Sequence, residues 1–218
     1  MGKCVWTDPV HGEYRCALEA LPGKTLCILH DAEEKDLGEF KRRLYAQIDC
    51  VGPEDERNPQ FDFRGYVFPE GIRVGGARGE KDVALPKAMG GDVNLMYTKI
   101  QGDVSFEDAG IGGSAYFTDS KIAGDTNLRG AEIEGHTSFW RAEIGKDVNF
   151  QFAKIGRDAY FMEAQVEGNA TCGGSRVLGG ANFWGAKIGG DANLSGAKIG
   201  GDVSFWDAET GGSANFRG

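Results

Sequence analysis

No stretch of this chain approaches the 18 apolar residues in a row that mark a membrane-spanning helix, and no apolar run near the amino terminus has the form of a secretory leader. Both absences point to a soluble, cytoplasmic protein. Also missing are a Ser/His/Asp or Cys/His grouping suited to nucleophilic catalysis, a phosphate-binding loop, and a G-x-G-x-x-G following a strand. The expectation is a protein that is not an enzyme and has no small-molecule substrate. Basic residues do not dominate: 24 Lys and Arg face 33 Asp and Glu, for a net charge of −9. Residues 1–60 hold 8 basic and 12 acidic residues and the remainder 16 and 21, so the acidity is spread along the chain and a large phosphate-binding surface is disfavoured.

What is present is repetition. From Gly91 onward a unit of the form G-D-V-N-F-x-x-A-K-I-G recurs every eleven residues. Its first position is Gly91, Gly102, Gly113, Gly124 and Gly135, then Lys146 and Arg157, then Gly168, Gly179, Gly190, Gly201 and Gly212. A fixed period of this kind signals a solenoid. Glycine is 35 of 218 residues, and its recurrence at one phase reads as a turn requirement. Positions three, five, eight and ten are apolar or small, as in Val148, Phe150, Ala153 and Ile155. A spacing of two within each pair predicts a short strand turning two side chains inward, with polar and glycine corners between.

Eleven residues supply only two strands, which leave no room between them for Phe and Ile. Two successive units close a four-sided coil. If so, side chains two units apart stack and share character. Position five of alternate units reads Leu95, Phe117, Phe139, Phe161, Phe183 and Phe205, a nearly pure Phe ladder; the other units give the mixed set Phe106, Leu128, Phe150, Cys172, Leu194 and Phe216. Position six separates the sides again. One side carries Met96, Thr118, Trp140, Met162, Trp184 and Trp206, with Tyr116 and Tyr160 at position four. The other carries Asn127, Asn149, Asn193 and Asn215 at position four. The predicted rod has an aromatic side and a polar side. A long apolar surface of this kind marks an interaction site, and Trp140, Trp184, Trp206, Met96, Met162, Tyr116 and Tyr160 are the candidate contacts for a protein partner or for self-association. The competing expectation is that they shield strand edges.

The segments A-N-F-W-G-A-K-I-G-G (181–190) and A-N-L-S-G-A-K-I-G-G (192–201) resemble pentapeptide-repeat proteins, whose unit is A-[DN]-[LF]-x-x. The matching residues are Ala181, Asn182 and Phe183, and Ala192, Asn193 and Leu194. The resemblance covers 91–218 well and 61–90 loosely, and implies a right-handed quadrilateral β-helix. The chain departs from the family by alternating five- and six-residue steps. Before Gly91, Phe63, Phe68 and Val74 are spaced five then six, and Val83 and Leu85 lie ten residues ahead of Val93 and Leu95, which reads as a divergent start of the same helix. Pro69 and Pro86 fall at expected corners.

Three of the five cysteines lie in the first 27 residues. Cys4, Cys16, Cys27 and His30 form C-x11-C-x10-C-x2-H, and three thiolates with one imidazole are a structural zinc set that leaves no open coordination position for chemistry. His11 competes with His30 as the fourth ligand. Cys50 and Cys172 read as structural thiols. Cys4, Gly12 through Cys16, Ala20, Pro22, Gly23, Cys27 and His30 also resemble the Cys-Cys-Cys-His finger of plant WRC domains and similar modules on bacterial pentapeptide-repeat proteins. Asp31 with Glu34 predicts a helix start, and Leu37, Phe40, Leu44 and Ile48 give an apolar stripe suited to covering the first coil. Lys41, Arg42 and Arg43 read as a solvated face.

The predicted organisation is a zinc module (1–30), an amphipathic capping helix (31–50), a linker (51–60) and a pentapeptide-like β-helix (61–218), mainly β overall. The leading functional expectation is a non-catalytic interaction scaffold that binds through its aromatic side. The alternative is nucleic-acid related: either a DNA mimic acting on a topoisomerase-like target, as some members of the resembled family do, or a nucleic-acid binder through the zinc module, as the WRC likeness implies. The Asp103, Asp125, Asp147, Asn169 and Asp191 corner reads as turn residues capping their own backbone rather than as a cation ladder. Unit twelve stops at Gly218 without a capping helix, an edge that invites end-to-end pairing or continuation in a longer solenoid.

Overall fold

Each two-residue strand follows from the alternation within a unit. In unit six, Val148, Phe150, Ala153 and Ile155 are buried, and the exposed Lys154 alternates with them. The computed structural model describes residues 2–5, 7, 26, 29–31, 36–50, 61–75 and 82–217, the side chains of 47, 49 and 50 excepted. These residues form one α-helix and 28 strands of two or three residues. The strands stack into four parallel sheets of seven, seven, eight and six strands. Ala115 pairs with Val93 on one side and Thr137 on the other, a step of two units in each direction. The chain is therefore a parallel β-solenoid whose four-sided coils each take up two eleven-residue units. Among the described residues no helix is long and apolar enough to cross a membrane.

Two kinds of corner join the strands. At the first, asparagine at position four turns its side chain onto the backbone: the amide of Gln151 donates to Asn149 Oδ1 (2.9 Å) and that of Trp184 to Asn182 Oδ1 (3.0 Å). The turn is closed by the amide of position eight donating to the carbonyl of position five, as from Ala153 to Phe150 (3.0 Å). Position seven between them is left-handed in unit after unit. Tyr97, Asp108, Asp119, Arg141, Phe152, Glu163 and Asp207 have φ between 52° and 60°, and Gly130, Gly174, Gly185 and Gly196 fill the same place.

At the second corner the recurring glycines do something other than supply a left-handed turn. Position one is absent from the positive-φ residues. What most of these corner glycines require is clearance between coils. A Cβ on Gly145 would lie 2.6 Å from the carbonyl oxygen of Ala123, and one on Gly102 would lie 2.6 Å from the amide nitrogen of Gly71. The acidic residue at position two also differs from the expectation. It caps the corner of the next coil, not its own: the amide of Asp125 donates to Asp103 Oδ1 (2.9 Å), that of Asp147 to Asp125 Oδ1 (3.0 Å) and that of Asn169 to Asp147 Oδ1 (2.7 Å).

The core is a column of stacked rings. Phe117, Phe139, Phe161, Phe183 and Phe205 lie parallel, with successive centroids 4.4, 5.4, 4.8 and 4.7 Å apart. Phe106 and Phe150 meet this column edge-on from the opposite side. Cys172 is buried in the same core, and desolvation pushes its thiol up to about 12.

The amino-terminal end is built differently. The first coil comprises β1 (Phe61–Asp62), β2 (Val67–Phe68) and β3 (Ile72–Val74), and is followed by β4 (Val83–Leu85) and β5 (Ala88–Met89). Phe61 pairs with Val93 and Ile72 with Val104, a step of 32, whereas Ala88 pairs with Gly110 at the normal 22. The ten extra residues carry the chain out to β4, which adds to the outer edge of β3 through Ile72 and Val83. Val83 and Leu85 thus belong to an edge strand and do not form a rung beneath Val93 and Leu95.

Helix α1 (Leu37–Cys50) lies over this end. It starts at Leu37, later than the Asp31 start expected: Asp36 is the cap, its Oδ1 accepting the amide of Glu39 (2.7 Å). Phe40, Leu44 and Ile48 are buried, with the Phe40 ring edge-on to Phe68 at 5.6 Å. Arg42 and Arg43 both close onto Glu39, which makes this part of the basic run a solvated, internally paired face.

Candidate functional sites

The first site begins with Asp62 and Arg64, at the corner after β1. Asp62 is buried, and it receives the Arg64 backbone amide (3.3 Å) together with the guanidinium (2.6 Å). This fixes the Arg64 backbone, whose carbonyl oxygen stands 3.3 Å from His30 Nε2. With the ring proton assigned to Nε2, the Nδ1 lone pair faces the Sγ of Cys4 at 3.6 Å. His30 also packs edge-on against Tyr66 at 5.0 Å. Both Cys4 and His30 are buried.

The 3.6 Å between Cys4 Sγ and His30 Nδ1 matches the spacing of two ligands on one tetrahedral ion. A tetrahedral ion with bonds of about 2.3 Å to sulfur and about 2.0 Å to nitrogen separates its ligand atoms by roughly 3.5 Å. A backbone carbonyl on the far ring nitrogen is the usual way of orienting a ligating imidazole. Cys16 and Cys27, the other two members of the expected set, lie outside the described residues, as does His11. Among the described residues no group of three or more His, Cys, Asp or Glu converges. The side chain of Cys50 is likewise outside the described residues.

The second site is the ridge at the corner after the first face. Trp140, Trp184 and Trp206 project there, 39, 38 and 73% exposed. The rings of Trp184 and Trp206 stack at 5.9 Å and 12°. Such stacking turns ring edges outward. Trp140 is partly covered by the Arg141 guanidinium, 4.8 Å from its ring. Asp119 holds that guanidinium at 2.7 Å, and this hydrogen bond raises the Arg141 pKa further. Met96, Met162, Tyr116 and Tyr160 are only half-buried. Thr118 is buried and bonds Ser138 (2.9 Å), which separates Met96 from the run Trp140, Met162, Trp184 and Trp206. Tyr160 is tied down by its hydroxyl, which donates to Asp158 (3.0 Å).

The chain also exposes apolar groups that were not expected. Phe152 and Leu178 are each 58% exposed, away from the tryptophan ridge. Phe152 occupies the left-handed position of its turn, and Arg129 lies 5.7 Å from its ring. The available signal was a bulky apolar residue in a slot that the units stacked above and below it fill with Asp108, Gly130, Gly174 and Gly196.

Charges elsewhere pair across coils. Lys121 meets Glu143 at 2.7 Å, Lys154 meets Glu132 at 2.6 Å, and Arg129 meets Glu107 at 3.4 Å, each pair joining one coil to the next. The Asp corner is occupied by amides and approached by Lys146 at 3.7 Å from Asp103. These carboxylates hold backbone and do not converge on a common point. Comparison with protein-family models, with curated proteins and with solved structures finds no match for this chain.

Proposed function

We propose that the chain is a non-catalytic, cytoplasmic interaction scaffold: a right-handed, pentapeptide-like quadrilateral β-helix with a structural zinc in its amino-terminal module. A protein partner, or a second copy, docks on the ridge of Trp140, Met162, Trp184 and Trp206. The observation that carries this reading is the stacked Trp184–Trp206 pair, an apolar surface with no role in the core. The interleaved cross-coil ion pairs support a protein partner over a DNA mimic, because away from the Asp corner they break up the continuous acidic face that a mimic needs.

Replacing Trp140, Trp184 and Trp206 together with Ser is expected to abolish association while leaving the far-ultraviolet dichroism unchanged. Self- and partner association equal to that of the parent chain would overturn the reading. Metal analysis is expected to return one zinc per chain. DNA binding that weakens steeply with salt would favour a nucleic-acid binder acting through the amino-terminal module, and would count against a DNA mimic.

A further inference from the structure

The backbone at His30 performs a task that belongs to the solenoid. On the second face of every regular coil, the amide of position nine donates to the carbonyl of position eight in the coil before: Lys99 to Tyr66 (2.9 Å), Lys121 to Thr98 (2.8 Å), Glu143 to Ser120 (2.9 Å). In the first coil the equivalent donor is Val67, and it donates to Leu29 (2.7 Å). Leu29 therefore stands where a preceding coil would stand. The next outward donor on this face belongs to position eleven, as in Gln101 donating to Phe68 (3.0 Å). In the first coil that position is Pro69, which has no N–H to offer. Between them, Leu29 and Pro69 silence the outward amides of β2, the kind of edge that otherwise recruits another strand.

Leu29 adjoins His30, whose ring is held between Cys4 and the Arg64 carbonyl. We infer that metal binding at Cys4 and His30 acts as a clasp that keeps Leu29 on Val67 and so keeps the amino-terminal edge of the solenoid closed. This rests on the zinc reading above. The residues fit a local device: the contacts run from the metal-facing pair to Arg64, Tyr66 and Val67 in the first coil, while the coils beyond are held by their own ladders.

The experiment is hydrogen exchange on the full chain, loaded with one equivalent of zinc and again after removal of zinc by a chelator, with metal content measured in both samples. The Val67 amide is expected to exchange at least tenfold faster without zinc, with amides of the coils from Thr137 to Val166 unaltered. His30→Ala is expected to reproduce the faster exchange in the presence of zinc. One zinc per chain with Val67 exchange indifferent to its removal overturns the clasp and leaves the metal site standing. No bound zinc overturns both. Loss of protection throughout the central coils would make the metal a requirement of the whole fold, and that too overturns a local clasp.

Discussion

The ring of Phe139 lies 4.4 Å from that of Phe117 and parallel to it within 8°. Its other face meets Phe161 at 5.4 Å, and Phe150 abuts it edge-on at 5.5 Å. A fully buried ring with this many aromatic neighbours leaves a cavity that a stacked column cannot close. Phe139→Ala is expected to cost about 4 kcal/mol, read as a lower urea midpoint. A loss below about 1 kcal/mol would show that the column collapses around the gap.

Thr126 and Thr137 occupy inward position three, where other units have Val93, Val104, Val148 and Val203. Both are fully buried and their hydroxyls have no partner. Desolvating a hydroxyl without a hydrogen bond costs about 1–3 kcal/mol. Thr126→Val and Thr137→Val are therefore each expected to stabilise the protein by about 1 kcal/mol, and to add in the double variant. Lower urea midpoints would contradict this.

Glycines at the two corners are expected to respond differently to the same change. Gly185 has a φ of 63° and room for a Cβ, the nearest atom being the Glu163 Cγ at 3.6 Å. Gly185→Ala carries only the left-handed backbone cost, about 1 kcal/mol. Gly145→Ala drives a methyl against the Ala123 carbonyl and is expected to cost about 3 kcal/mol. Glu163→Gly, at a φ of 56°, is expected to raise stability. Thermal unfolding of the three variants distinguishes backbone conformation from clearance.

Asp158 accepts the Gly180 amide (2.7 Å) and the Tyr160 hydroxyl (3.0 Å), with His136 at 3.3 Å. Those two hydrogen bonds, the amide first, hold its carboxyl below the ordinary carboxylate range, while burial opposes them. A depressed folded-state pKa gives stability that is fully present above the unfolded-state pKa, near ~3.9, and lost as pH falls through the folded value. The stability gap between the parent chain and Asp158→Asn is thus expected to be constant above about pH 5 and to shrink below about pH 4. Urea titrations across that range check it, and a gap that does not change with pH would refute it.

Much of this architecture was legible in the sequence because the core selects residue type. Phe117, Phe139, Phe161 and Phe183 recur where a large flat ring fills the coil, so the two-unit coil could be read from them. The stripe of Phe40, Leu44 and Ile48 announced the helix for the same reason. The left-handed turn position was not legible, since its backbone demand is met by Tyr97, Arg141 and Glu163 as well as by Gly174, and side chains there face solvent. Nor was the excursion to β4, because Val83 and Leu85 present the same alternation whether a strand lies in a coil or on its edge. In the candidate sites, the tryptophan corner followed directly from spacing, whereas Phe152 could be recognised as exposed only once position seven was known to be an outward, left-handed turn position. The Cys4–His30 contact spans 26 residues, and the C-x11-C-x10-C-x2-H spacing places both residues in one expected set.

A coil of two unlike halves restricts how such a chain can change length. Removing one unit of eleven would turn everything beyond the cut by half a revolution about the long axis. Trp184 and Trp206 would then rise from the edge that now carries Arg129 and Gln151, and the Phe column would break onto its mixed counterpart. Removing two adjacent units shortens the rod and leaves each edge in line. Growth or loss of this protein without loss of its sidedness therefore proceeds in whole revolutions.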